Sequence, residues 1–127
     1  MASENLAADL TRRILGCAFR VHSELGPGLL ESAYRKCLIR ELTVAGLASR
    51  EEIPVPLHYR GENIDCAYRA DLVVEGTVLI ELKCVKRLKA IHTAQALTYM
   101  RIARLPLGLI LNFNTVSLRD GVRRLVL

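Results

Sequence analysis

Tryptophan is absent from this chain, and other aromatic side chains are few, with four tyrosines and two phenylalanines. So small a set does not indicate the row of stacking platforms on which single-strand-binding proteins hold successive bases. No uncharged stretch reaches the roughly 20 residues that a membrane-spanning helix needs. A basic start followed by an apolar run, the sign of a secretory signal, is also missing. We therefore expect a cytoplasmic protein with no membrane partner.

Closely spaced cysteines are missing too. The four cysteines are scattered along the chain, at Cys17, Cys37, Cys66 and Cys84. Zinc sites use cysteine or histidine pairs a few residues apart, and that spacing does not occur here. We interpret the four as reduced side chains that pack as small hydrophobic groups.

The composition that remains is that of an ordinary globular domain. The 127 residues are 51% hydrophobic and 24% charged, and a chain of this length forms a core without disulfides or metals. We expect one domain over residues 1–127. Lysine and arginine number 18 against 13 aspartates and glutamates, and the net charge of +5 favours polyanionic partners. A solvated basic surface without such a role is an equal alternative.

Hydrophobic periodicity predicts three helices and four or five strands. Apolar residues at helical spacing indicate helices over about residues 5–25, 29–45 and 90–104, the first two separated by a Gly-Pro-Gly turn. Apolar residues alternating with prolines predict an edge strand through Ile53, Val55 and Leu57, followed by a turn at residues 58–63. Further apolar runs predict strands over residues 64–74, 78–85, 107–111 and 122–127. This order predicts an α/β fold, a mixed central sheet of four to five strands flanked by helices.

Three charged residues interrupt the predicted central strands. Asp71 lies in one apolar run, and Glu81 and Lys83 lie in the next. Ionised groups in buried strands cost several kcal/mol or more unless they are paired or bind a metal. If residues 75–77 form a three-residue loop, Asp71 lies opposite Glu81 with Cβ atoms about 5 Å apart, and Lys83 shares their face. A two-residue loop would place the two acids on opposite faces.

Two carboxylates so close require a proton or a cation between them. Oxygen ligands favour Mg²⁺ or Mn²⁺ over zinc, and such an ion polarises a phosphoryl oxygen and activates water. Lys83 would orient that water or stabilise the developing charge. The alternative is a structural ion pair between Lys83 and one of the acids.

Several motifs resemble those of one protein family, in the same order along nearly the whole chain. The segment from Leu25 to Tyr34 is similar to the signature of the GxxExxY family, with Gly28, Glu31 and Tyr34 at its named positions. Further similar segments are Tyr68-Arg69-Ala70-Asp71-Leu72, Ile80-Glu81-Leu82-Lys83, His92 to Tyr99 and Gly108 to Phe113. That family is grouped with the PD-(D/E)XK nucleases, which have the restriction-endonuclease-like fold. Ala70 stands where the superfamily name has proline, and only the aspartate is chemically needed.

The resemblance implies a site. Asp71, Glu81 and Glu31 would bind Mg²⁺ or Mn²⁺, and Lys83, with Glu31, Gln95 and Tyr99, would form the catalytic set. From the residues alone, the helix dipole, which favours an acid in a first turn by about 0.3–1 kcal/mol, is the better explanation of Glu31, and the resemblance favours the metal site. Gln95 is equally explained as a satisfied core residue.

The predicted function is Mg²⁺-dependent hydrolysis of nucleic acid phosphodiesters, with DNA as the expected polymer. Basic side chains near the site would contact phosphates, namely Lys86, Arg87, Lys89 and Arg35. Specificity would come from shape, from a homodimer or from a partner protein. The alternative is a non-cleaving nucleic-acid-binding or accessory module that keeps the fold, and retention of Asp71, Glu81 and Lys83 together argues against it.

Overall fold

The structure is a computed structural model and describes residues 2–64 and 68–127. Its helices are α1 Ala2–Leu25, α2 Glu31–Val44 and α3 Ala90–Ala103, with one 3-10 turn at Leu118–Gly121. Its strands are β1 Ser49–Pro54, β2 Leu57–Tyr59, β3 Glu62–Ile64, β4 Arg69–Val74, β5 Val78–Lys83, β6 Leu107–Asn112 and β7 Val122–Val126. Within the described part of the chain, no helix is long and apolar enough to cross a membrane.

Five strands form one mixed sheet in the order β1-β4-β5-β6-β7. Strands β5 and β6 are parallel, and every other neighbouring pair is antiparallel. Parallel neighbours need a long crossover, and α3 supplies it between β5 and β6. The predicted α/β class, with a mixed sheet of up to five strands flanked by helices, is confirmed.

The sheet has a hydrophobic core on each face. One core packs α1 and α2 against even-numbered strand residues such as Leu72, Ile80 and Leu82. The other packs α3 against Val73, Leu79 and Ile110, among others. Alternate side chains of a strand point to opposite faces, so the odd positions of β5 face α3. Two apolar faces explain why the central strands are almost continuously hydrophobic.

Two details of the predicted strand pattern are wrong. The edge strand is β1, which begins at Ser49 and ends at Pro54, because two prolines at positions 54 and 56 remove backbone donors there. The predicted turn at residues 58–63 is a separate hairpin of β2 and β3, and only Arg60 and Gly61 turn, with φ of 49° and 82°. This hairpin includes Ile64, the first residue of the predicted strand over residues 64–74, and β4 covers Arg69–Val74, while residues 65–67, which include Cys66, lie outside the described residues.

Candidate active site

The β4–β5 hairpin has the three-residue loop that the chemistry required. Val74 pairs with Val78, and Leu72 pairs with Ile80. The loop closes through the Thr77 amide, which donates to the Val74 carbonyl at 3.0 Å. This register places Asp71 and Glu81 side by side, as predicted.

At Asp71 and Glu81, hydrogen bonds from backbone amides to the carboxylates take the place of backbone pairing between β4 and β5. Backbone pairing between β4 and β5 ends at Leu72 and Ile80. Beyond it, the Leu82 amide donates to Asp71 Oδ2 at 2.9 Å, and the Asp71 amide lies 3.4 Å from Glu81 Oε1. Each carboxylate therefore contacts the opposite strand, and the two acids are held together by the sheet itself.

Strand β1, the other neighbour of β4, also lacks regular pairing at the position opposite Asp71. Strand β1 pairs Glu51 with Leu72 and Ile53 with Ala70, but the intervening Glu52 has a φ of 51° and does not pair with Asp71. A left-handed backbone is costly for a residue other than glycine. Regular backbone pairing is therefore interrupted on both sides of Asp71, which is half-buried.

Burial and the charge of a neighbouring carboxylate raise the pKa of two of the acids, Glu81 and Glu31. Glu81 is only 5% exposed, and burial, followed by the charge of Asp71, raises its pKa to about 8. Burial also raises the pKa of Glu31, with Asp71 as the next cause and Lys83 acting in the opposite direction. Burial and the neighbouring carboxylate therefore disfavour the ionised form of Glu81, and a cation placed between the two acids would favour it.

Glu31 is positioned by a locked loop. It is the first residue of α2 and follows Gly28, whose φ of 100° suits glycine alone. The Leu29 amide donates to the Tyr34 hydroxyl at 3.1 Å, and this hydroxyl donates to the Gly26 carbonyl at 2.5 Å. The spacing of Gly28, Glu31 and Tyr34 thus has a structural cause, because the hydroxyl of the buried tyrosine is hydrogen-bonded to the turn that precedes Glu31.

Tyr34 provides a stability test of that interpretation. Its ring is fully buried and stacks on Phe113 with centroids 4.6 Å apart. Tyr34→Phe should keep the stack and lose both hydroxyl bonds, lowering the free energy of unfolding by about 1–2 kcal/mol, measured by urea denaturation. The control Tyr59→Phe removes a hydroxyl from a 65% exposed ring. Equal effects of the two changes would contradict a role for Tyr34 in locking the loop.

Lys83, Gln95 and Tyr99 come together on the α3 face of the sheet. Lys83 is the last residue of β5 and lines a cavity with the two α3 residues. The Gln95 amide nitrogen donates to the Tyr99 hydroxyl at 3.1 Å. Burial, followed by the charge of Glu81, raises the pKa of Tyr99, so this phenol stays protonated beside the acids. The structure thus brings together five of the predicted site residues and places Glu31 within electrostatic reach of Asp71 and Lys83.

A sequence model of the PD-(D/E)XK nuclease superfamily matches residues 8–125. The chain belongs to this superfamily. Comparisons with curated proteins and with solved structures gave no match. The match covers β1 to β6 in full and β7 as far as Leu125, so it includes β4 and β5, the strands on which Asp71, Glu81 and Lys83 lie.

The donor set fits a divalent cation of the kind that PD-(D/E)XK nucleases use. Among the described residues, no three histidine, cysteine, aspartate or glutamate side chains converge closely enough to hold a metal by themselves. Mg²⁺ does not require such a cage, because it is commonly bound by one or two carboxylates together with waters and substrate phosphates. Asp71 and Glu81 supply two adjacent carboxylates whose repulsion a cation would relieve.

The predicted phosphate contacts differ in their surroundings. Lys86, Arg87 and Lys89 are exposed in the loop between β5 and α3. Arg35, in contrast, is only 18% exposed and lies 3.6 Å from carboxylates of both Glu51 and Glu52. Its Nε atom is buried and has no hydrogen-bond partner among the described residues. Arg35 therefore connects α2 to the part of β1 that contains the left-handed Glu52, whereas Lys86, Arg87 and Lys89 are exposed to solvent.

Sequence reasoning missed two residues that hold the basic loop. The buried Asn112 side chain accepts from the Val85 amide at 3.1 Å and donates to the Val85 carbonyl at 2.9 Å. Arg123 donates to the carbonyls of Leu88 and Lys89 at 2.9 and 3.1 Å. An asparagine ending an apolar strand was a usable signal for the first. Two adjacent arginines in the last strand, Arg123 and Arg124, gave none for the second.

Proposed function

We propose that this chain is a Mg²⁺-dependent nuclease that hydrolyses phosphodiester bonds of nucleic acid, with DNA as the expected polymer. The observation that carries the proposal is the side-by-side placement of Asp71 and Glu81, with Lys83 on the same strand face as Glu81. Membership of the PD-(D/E)XK superfamily supports nuclease chemistry at this site.

The roles of the side chains follow from their positions. Asp71 and Glu81 would hold the cation, which when bound polarises the phosphoryl oxygen and activates water. The Lys83 ammonium stands at the end of β5 beside them and stabilises negative charge that develops on the phosphate. Glu31 adds a third carboxyl near the pair, and burial followed by the charge of Asp71 raises its pKa, so it holds a proton more readily than a solvated carboxyl does. The hydrogen-bonded Gln95 and Tyr99 support Lys83 and the substrate from α3.

The exposed loop supplies the affinity for a polyanion. Lys86, Arg87 and Lys89 follow Lys83 within six residues, and Asn112 and Arg123 fix the loop backbone. Lysine and arginine contacts to phosphates release counterions, so binding through this loop should weaken as salt rises. These contacts carry no sequence information, which fits a nuclease that selects its substrate by shape.

The proposal is tested by incubating the protein with plasmid, linear duplex, single-stranded and branched DNA and with RNA. Reactions contain Mg²⁺ or Mn²⁺, and parallel reactions contain EDTA. We expect metal-dependent products from at least one substrate and none with EDTA. A Lys83→Ala preparation purified in the same way shows whether the product comes from this site. Saturable binding without cleavage of any substrate would contradict the proposal and favour the non-cleaving module.

A further inference from the structure

A cavity of about 700 Å³ opens beside Lys83 on the α3 face of the sheet. One wall is formed by α3, including Gln95 and Tyr99. The opposite wall is formed by Leu57 at the start of β2 and by Tyr68, just before β4. The cavity is therefore continuous with the candidate active site, since Lys83 belongs to both.

The walls are apolar and the mouth is open to solvent. Tyr68 is 50% exposed, and its ring is tilted by 49° to that of Tyr99 with centroids 6.2 Å apart. Ile91, at the first turn of α3, is 68% exposed. Large exposed apolar groups beside a catalytic lysine indicate a binding surface more than a gap in the core.

The polar groups of the cavity suit a nucleic acid base. No carboxylate is among its described lining residues, which include the basic Lys83 and His92. The Gln95 amide and the Tyr99 hydroxyl together offer hydrogen-bond donors and acceptors, as the edges of bases do. An apolar cavity with a half-exposed tyrosine and an amide offers a base a surface for stacking and partners for its polar edge.

We propose that this cavity receives one unpaired base next to the cleaved phosphate, so that the substrate is single-stranded or locally unpaired nucleic acid. This inference rests on the proposed nuclease function and names its substrate class. A base inside a duplex is stacked on its neighbours and cannot enter a side cavity unless it is flipped out. An already unpaired base avoids that cost, which produces a preference for single strands, overhangs or mismatches.

A single tyrosine, Tyr68, is sufficient to select for one unpaired base. The low aromatic content excludes a row of stacked bases, but a single base needs a single ring. Removing an aromatic platform commonly weakens binding by about tenfold or more for each stacked base. We therefore expect Tyr68→Ala to lower kcat/KM on single strands about tenfold, and Tyr68→Phe to restore it.

The test compares three substrates of one sequence: a single strand, its full duplex, and a single strand with one abasic residue. The cleavage positions are first mapped on the intact single strand, and the abasic residue is then placed on either side of the main position. We expect the single strand to be cleaved at least about tenfold faster than the duplex, and one of the abasic placements to remove that advantage. Tyr59→Ala, which removes an exposed ring outside the cavity, is the matched control.

Failure of this inference can be separated from failure of the nuclease function. Equal cleavage of the three substrates, unchanged by Tyr68→Ala, would overturn the base cavity while leaving a nuclease. If no substrate is cleaved, the cavity is tested by binding instead. The intact and the abasic single strands then carry a dye label, and their binding is measured in EDTA. Tighter binding of the intact strand than of the abasic strand, lost in Tyr68→Ala, would support the cavity, and equal binding would overturn it.

Discussion

Replacing Lys83 with alanine is expected to slow metal-dependent cleavage by about 10²–10³-fold. The ammonium group stands at the end of β5, two residues beyond Glu81 on the same face. It is positioned to stabilise charge that grows only in the transition state, so its loss should lower kcat and leave KM almost unchanged. Steady-state kinetics on the best substrate, in saturating Mn²⁺, measure this difference.

Two further variants make the Lys83 result interpretable. Lys36→Ala removes the same charge from an exposed position on α2 and controls for the net charge of the protein. Lys86→Ala removes a predicted phosphate contact and should raise KM and reduce its dependence on salt. A Lys83→Ala enzyme with normal kcat and a raised KM would show that Lys83 binds phosphate as Lys86 does, and would remove it from the catalytic set.

Much of the candidate site could be predicted because it depends on local rules. A three-residue hairpin loop determines which residues of β4 and β5 are opposite each other, and strand alternation then determines which of them share a face. The placement of Asp71, Glu81 and Lys83 on one face follows from those two rules once the three-residue loop is chosen, and the cost of separating buried charges favoured that loop. Helical spacing places Gln95 and Tyr99 on one face of the helix, where they are hydrogen-bonded as neighbours, but their place in the candidate site comes from the family resemblance.

The missed features depend on contacts between distant segments. The left-handed Glu52 leaves Asp71 unpaired on its β1 side, and no residue preference of glutamate indicates this conformation. Arg35 is predicted to contact phosphate because it is basic and lies on the helix that carries Glu31. The sequence does not indicate its neighbours Glu51 and Glu52, which lie in the first part of β1. Arg123 reaches the loop at Lys89 across 34 residues of sequence. Such pairings become visible only when the strand order is known.

Stability of the metal-free protein should fall as pH rises from about 5 to about 8, by about 3 kcal/mol. The pKa of Glu81 is raised from an ordinary value of 4.5 to about 8 in the folded chain. Between these values the unfolded chain releases the proton while the folded chain keeps it. The stabilisation is therefore fully present below pH 4.5, is lost through the interval at up to about 1.4 kcal/mol per pH unit, and changes little above pH 8.

Glu81→Gln isolates this contribution, because a neutral amide mimics the protonated acid and does not titrate. The variant and the wild type should have similar free energies of unfolding near pH 4.5, and the variant should be more stable at pH 8 in EDTA. Urea denaturation at several pH values gives the difference between the two proteins, in which the titrations of Glu31 and of other groups largely cancel.

Adding Mg²⁺ or Mn²⁺ at pH 8 should stabilise the wild type more than Glu81→Gln and so reduce the difference in stability between them. A cation between Asp71 and Glu81 favours the ionised carboxylates and so lowers the pKa of Glu81, which restores wild-type stability at the pH where it is weakest. Glu81→Gln lacks one anionic ligand and should gain much less. If the wild type and Glu81→Gln had parallel stability curves in EDTA, the buried acid would not carry the raised pKa. If metal stabilised both proteins equally at pH 8, the cation would bind elsewhere, and the pair of carboxylates would be a structural feature of the sheet.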